Sequence, residues 1–102
     1  STFDGITEVS TPTYTLLSTD IHVSLQYTST GTASITLPGL TTSLHGKSFH
    51  VKDADYNATN NNITIYTTGG DTIEATASFT ISQNGNSFSI RGNDTTKNWE
   101  GF

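Results

Sequence analysis

The chain has no cysteine, no methionine, two prolines and one tryptophan among its 102 residues. Without thiols, neither a disulfide framework nor a thiolate metal centre can form. Charge is scarce too: 13% of residues are charged, four basic against nine acidic, for a net charge of −5. Lys47, Lys52, Arg91 and Lys97 are dispersed, so no basic patch points to a nucleic-acid partner. Apolar runs span only a few positions, which excludes a membrane-inserting helix and a signal-peptide core within these residues. The missing initiator methionine leads us to expect a processed start or, in preference, a fragment of a longer protein.

Hydrophobic residues are also few, at 31%. A domain of this length has room for one core and buries roughly two-thirds of the surface its unfolded chain exposes. So thin an apolar complement suggests that neighbouring chains supply part of the stability. Low charge and regular apolar spacing nevertheless argue for a folded domain.

What the chain has in abundance is threonine and serine, about a third of its residues. Threonine is β-branched and suits a half-exposed pleated face. Short alternating segments follow one another between turn residues. Residues 13–17 open the series. In residues 21–27 (IHVSLQY), Ile21, Val23, Leu25 and Tyr27 share one face and His22, Ser24 and Gln26 the other. After a polar turn over 28–32, Ala33, Ile35 and Leu37 share a face until Pro38-Gly39 stops the strand. Residues 40–46 form a connection with room for one helical turn. Residues 47–53 then point Phe49 and Val51 inward and His50 and Lys52 outward. The polar stretch 54–62 is a surface loop, rich in asparagine that tolerates left-handed backbone. Strands are expected over 62–66, briefly over 72–75, and over 78–82, 87–91 and 98–102. The Asn84-Gly85 pair predicts a hairpin between 78–82 and 87–91. About eight short strands in an all-β domain are the outcome, arranged as an antiparallel, jelly-roll-like β-sandwich. Residues 1–12 are expected to be a linker or the end of a stalk, and residues 13–102 the sandwich head.

Tests for chemistry find little. Gly39 and Gly46-Lys47-Ser48 resemble the ends of a phosphate-binding loop, but six residues separate the glycines where four are needed. Asp53, Asp55 and Asn57 are spaced as a calcium loop begins, yet its sixth and twelfth positions hold Ala58 and Thr64 instead of glycine and glutamate. His22, His45 and His50 are too few and too scattered for a zinc site. No G-x-S-x-G elbow carries a serine nucleophile, and the carboxylates fall mostly in turns. We therefore expect no catalytic residues, no metal, no cofactor and no enzyme. Asn57, Asn62 and Asn93 each begin an N-x-T triplet, which a sequence of this composition produces by chance.

Binding chemistry is better represented. Rings stack on the apolar faces of sugars while Asn and Asp bond their hydroxyls, and the 54–62 loop supplies both. Tyr56, Asn57, Asn60, Asn61 and Asp55 are the candidate ligand or receptor contacts. The plainer alternative is a solvated loop with one packed tyrosine. Polar-phase residues His22, Gln26 and His50 are the candidates for an interface between copies.

Taken in order, several short cues resemble a module of phage and large-virus fibre proteins. They are Tyr14-Thr15-Leu16-Leu17 before Asp20, Ala33-Ser34-Ile35-Thr36-Leu37-Pro38, and Gly46-Lys47 before Phe49-His50-Val51-Lys52-Asp53. Asn62-Ile63-Thr64-Ile65, Gly70-Asp71-Thr72-Ile73-Glu74, Ser87-Phe88-Ser89-Ile90 and a closing Asn98-Trp99 continue them. The ending Glu100-Gly101-Phe102 is less apolar than is usual there. The resemblance implies a head domain of an elongated fibre or spike, usually a homotrimer, on the virion surface. Such heads contact a host-cell receptor, for which a glycan is a candidate, without membrane insertion. A stand-alone carbohydrate-binding or adhesin module of a secreted or cell-surface protein is the alternative, and a purely structural virion domain is a third.

Overall fold

The computed structural model describes residues 5–27 and 31–102. Ten strands and one 3-10 turn (Thr42–Leu44) make up its regular structure. The strands are β1 (Ile6–Val9), β2 (Thr13–Thr15), β3 (His22–Leu25), β4 (Ala33–Thr36) and β5 (Ser48–Asp53). They continue with β6 (Ile63–Tyr66), β7 (Thr72–Ile73), β8 (Ser78–Ile81), β9 (Ser87–Asn93) and β10 (Asn98–Gly101). Two sheets result, one ordered β1-β3-β5-β9-β10-β7 and the other β2-β4-β6-β8. The all-β expectation holds.

The pairing differs from an antiparallel jelly roll. From β1 to β6 the strands are dealt alternately to the two sheets, winding through three turns. Two neighbours in one sheet are thus separated by a strand in the other, and the backbone returns in the same direction. Hence β1, β3 and β5 are mutually parallel, as are β2, β4 and β6. Antiparallel pairs follow, with β9 against β5, β10 against β9, and β8 against β6, and β7 is added parallel to β10. The edge strands are β1 and β7 in the larger sheet and β2 and β8 in the smaller.

Two further expectations need correcting. Residues 6–9 are a strand of the larger sheet, in register with residues 22–25, and Val9 belongs to the core. The fold therefore begins before residue 13; residues 1–4 of the expected linker lie outside the described residues, as does most of the 28–32 turn. Nor do the segments around Asn84-Gly85 form a hairpin. β8 pairs with β6 and β9 with β5, so this turn leads from one sheet to the other. The hairpin that does form joins β9 to β10.

Alternation decides which side chains go inside. Val23 and Leu25, Ala33 and Ile35, Phe49 and Val51, and Ile63 and Ile65 fill one continuous core with Leu37, Ile73, Ile90 and Trp99. Phe49 meets Trp99 at 5.5 Å between ring centroids, and Phe79 of β8 stacks on Phe88 of β9 at 3.8 Å, joining the two sheets. A single copy of the protein covers this core by itself. That removes the premise that neighbouring copies must seal it.

Candidate functional site

The asparagine-rich loop is anchored at its root. β5 alternates inward and outward until Asp53, whose phase turns its carboxylate inward, where it is 3% exposed. A buried carboxylate is costly unless hydrogen-bonded. Here Oδ2 accepts the Ala58 N–H at 2.9 Å and the Gly85 N–H at 3.0 Å. One side chain thereby ties the 54–62 loop to the Asn84-Gly85 turn. A second tie runs from the Thr59 N–H to Asn84 Oδ1 at 2.9 Å.

Tyr56 stands on this base. Its φ is 56°, a left-handed conformation uncommon for an aromatic residue, and the side chain is 62% exposed. The ring rests on Gly85 so closely that a Cβ there would lie 2.6 Å from Tyr56 Cδ1, and Gly85 is itself left-handed at φ +78°. Lys52 reaches from β5, its Nζ 4.9 Å from the ring centroid, and donates to the Gly85 carbonyl. Backbone, ammonium and loop together hold the ring at the surface.

The other loop candidates divide. Asn60 is exposed and donates from Nδ2 to Asn57 Oδ1 at 3.0 Å, so Asn57 and Asn60 sit side by side near Tyr56. Asn61 is 6% exposed, and its Oδ1 accepts the Gly31 N–H at 3.0 Å; it is an internal brace rather than a surface contact. Asp55 is half-buried, with Oδ2 enclosed and without a hydrogen-bond partner among the described residues. Burial first, and then the charge of Asp53, push its carboxyl pKa up. Among the described residues no group of three or more His, Cys, Asp or Glu side chains could hold a metal ion.

The three interface candidates share one surface. His22 of β3 lies in register with His50 of β5, which lies opposite Ser89 of β9. All three side chains are in the outward phase of the larger sheet. His50 Nδ1 and Ser89 Oγ are 2.6 Å apart, and the imidazole meets Phe102 edge-on at 5.7 Å. Arg91 covers the same Phe102 ring at 4.9 Å. Gln26 joins from the end of β3, donating from Nε2 to Glu8 Oε1 at 3.3 Å and Ser24 Oγ at 3.2 Å. Ile6 and Phe102, 59% and 66% exposed, flank this band. A histidine bonded to a serine hydroxyl is two-thirds of the triad pattern, but among the described residues no carboxylate is hydrogen-bonded to His50 to complete one.

The third histidine lies elsewhere, accepting the Asp94 N–H on Nδ1 of His45 at 3.0 Å. Lys52, Asn84 and Gly85 were not among the sequence candidates. Nothing in the spacing connects Asn84 and Gly85 with a loop some thirty residues earlier.

No protein-family model matches the chain, and no curated protein matches it.

Proposed function

We propose that the protein is a non-enzymatic attachment domain of the viral fibre-head kind, assembling as a homotrimer and contacting a host-cell receptor through the Tyr56 loop. The presentation of Tyr56 carries this reading. A left-handed aromatic residue costs free energy and persists only where its surroundings over-determine it. Asp53, Lys52 and Gly85 do so here, and the outcome is a ring held toward solvent beside Asn57, Asn60 and Asn84. A fixed ring with amides around it suits a sugar, whose apolar face stacks while its hydroxyls are bonded. A glycan is therefore the proposed receptor chemistry.

Topology supports a head at the end of a fibre. β1 and β2, the first strands of the coil, are edge strands of their sheets, to which further β-structure can be added. The band of His22, His50, Gln26, Ile6 and Phe102 is the proposed face between copies. A glycan array probed with the intact protein and with Tyr56→Ala tests attachment. Binding by the intact protein that the variant loses, at unchanged circular dichroism, supports the reading. Absence of binding by a correctly assembled trimer would instead favour a structural virion domain, and binding by a monomer a stand-alone carbohydrate-binding module.

A further inference from the structure

We infer that Asn84-Gly85 is a latent deamidation site which the fold holds unreactive. Asn-Gly is the pair most open to this chemistry, because glycine puts no side chain in the way of its own nitrogen. The Gly85 nitrogen gives up its proton and attacks Asn84 Cγ. A new bond between that nitrogen and Cγ closes a five-membered succinimide. The bond from Cγ to Nδ2 breaks, and Nδ2 leaves as ammonia with the proton. Water then opens the ring at either carbonyl, giving aspartate or isoaspartate.

In this protein both reacting groups are engaged. The Gly85 N–H donates to Asp53 Oδ2 at 3.0 Å, inside a carboxylate that is almost wholly buried. Removing that proton would place a nitrogen anion against an existing negative charge where water screens poorly, so the nucleophile is suppressed. The electrophile is tethered away, since Asn84 Oδ1 holds the Thr59 N–H across the loop at 2.9 Å. Rotation of the turn is opposed as well: Lys52 bonds the Gly85 carbonyl and the Tyr56 ring covers Gly85. Reaction thus requires local opening that breaks these contacts together.

Conversion would not be silent. It would add a carboxylate near Asp53 and, as isoaspartate, lengthen the backbone of the turn on which Tyr56 rests. The same contacts that hold the ring outward therefore protect its support from ageing. This inference stands whether or not Tyr56 binds a sugar.

Peptide mass mapping of residues 83–86 during incubation in mildly alkaline buffer tests it, comparing the folded protein with the protein in concentrated urea. The folded form should convert at least about tenfold more slowly, as expected when several bonds must open first. Asp53→Asn, which keeps the shape but removes the charge, should bring the folded rate toward the unfolded one. Equal rates in buffer and in urea would overturn the proposal. So would slower conversion in a folded Asp53→Asn variant, because Asp53 would then be a base assisting attack. Should that variant not fold, the wild-type comparison decides alone.

Discussion

Burial alone would raise the pKa of the Asp20 carboxyl, yet the Leu17 N–H, the Thr7 and Tyr14 hydroxyls and the charge of Lys47 outweigh it and hold the pKa below 3.8. Thr7 donates to Oδ1 at 2.7 Å, while Tyr14 and Leu17 donate to Oδ2 at 2.7 and 2.9 Å. One carboxylate so joins β1, β2 and the turn after it. A carboxylate held low contributes stability that is present above its unfolded pKa and is lost as pH falls through the folded one. Tyr14 is pushed up to about 12, by burial first and then by its bond to Asp20 and that residue's charge. Its contribution is whole below the ordinary phenol value and fades as pH rises toward 12. Replacing Asp20 with Asn removes the charge and one acceptor, so stability near neutrality should fall by about 2 kcal/mol. Thermal melts should show that gap narrowing as pH falls below about 4, where the unfolded carboxyl takes up its proton, and closing as pH falls through the lower folded pKa. A gap unchanged in acid would show that charge is not what Asp20 contributes.

At the scale of elements, β9 illustrates why backbone must sometimes come closer than a side chain permits. Gly92 faces inward, and a Cβ there would lie 2.7 Å from Leu40 Cδ2, 2.9 Å from the Leu44 carbonyl oxygen and 3.0 Å from Trp99 Cζ3. The Leu44 oxygen is backbone at the end of the 3-10 turn and yields little. Gly92→Ala should therefore destabilise the protein by about 1–3 kcal/mol, measured by urea unfolding. An unchanged midpoint would mean that the 3-10 turn shifts freely. Inward and outward phases were legible in the sequence wherever alternation was clean, as in residues 33–37 and 47–53. β1 escaped because Ile6 points to solvent and only Val9 marks a buried face. Strand direction was not legible, since a turn between two strands does not say whether the second joins the same sheet. Asn84-Gly85 shows this most clearly: its glycine takes a left-handed backbone conformation in a turn between the two sheets, with its N–H already taken by Asp53. The loop carrying Tyr56 could be read from composition. Its supports could not, because they arrive from β5 and from a turn assigned to a hairpin.

For the whole molecule, the source of any association between copies changes once the core is seen. Trp99, Phe49, Ile35, Ile65 and Val51 are fully enclosed within one copy, so exposed core surface cannot drive assembly. The surface proposed for it is the outer face of the larger sheet, where imidazoles, hydroxyls and a glutamine lie between Ile6 and Phe102. Such a surface is polar and can pair with copies of itself through hydrogen bonds around a few apolar contacts. Sedimentation at micromolar concentration should therefore give three times the 10.9 kDa protomer mass. Placing glutamates at His22 and His50 puts like charges on every copy of the face and should yield monomers. Because both side chains lie outside the core, the monomer's urea midpoint should stay close to that of a single wild-type protomer. Tyr56→Ala, away from this band, should leave the trimer intact. A wild-type protein that sediments at 10.9 kDa would remove the assembly half of the proposal and leave the Tyr56 platform to be judged by glycan binding alone.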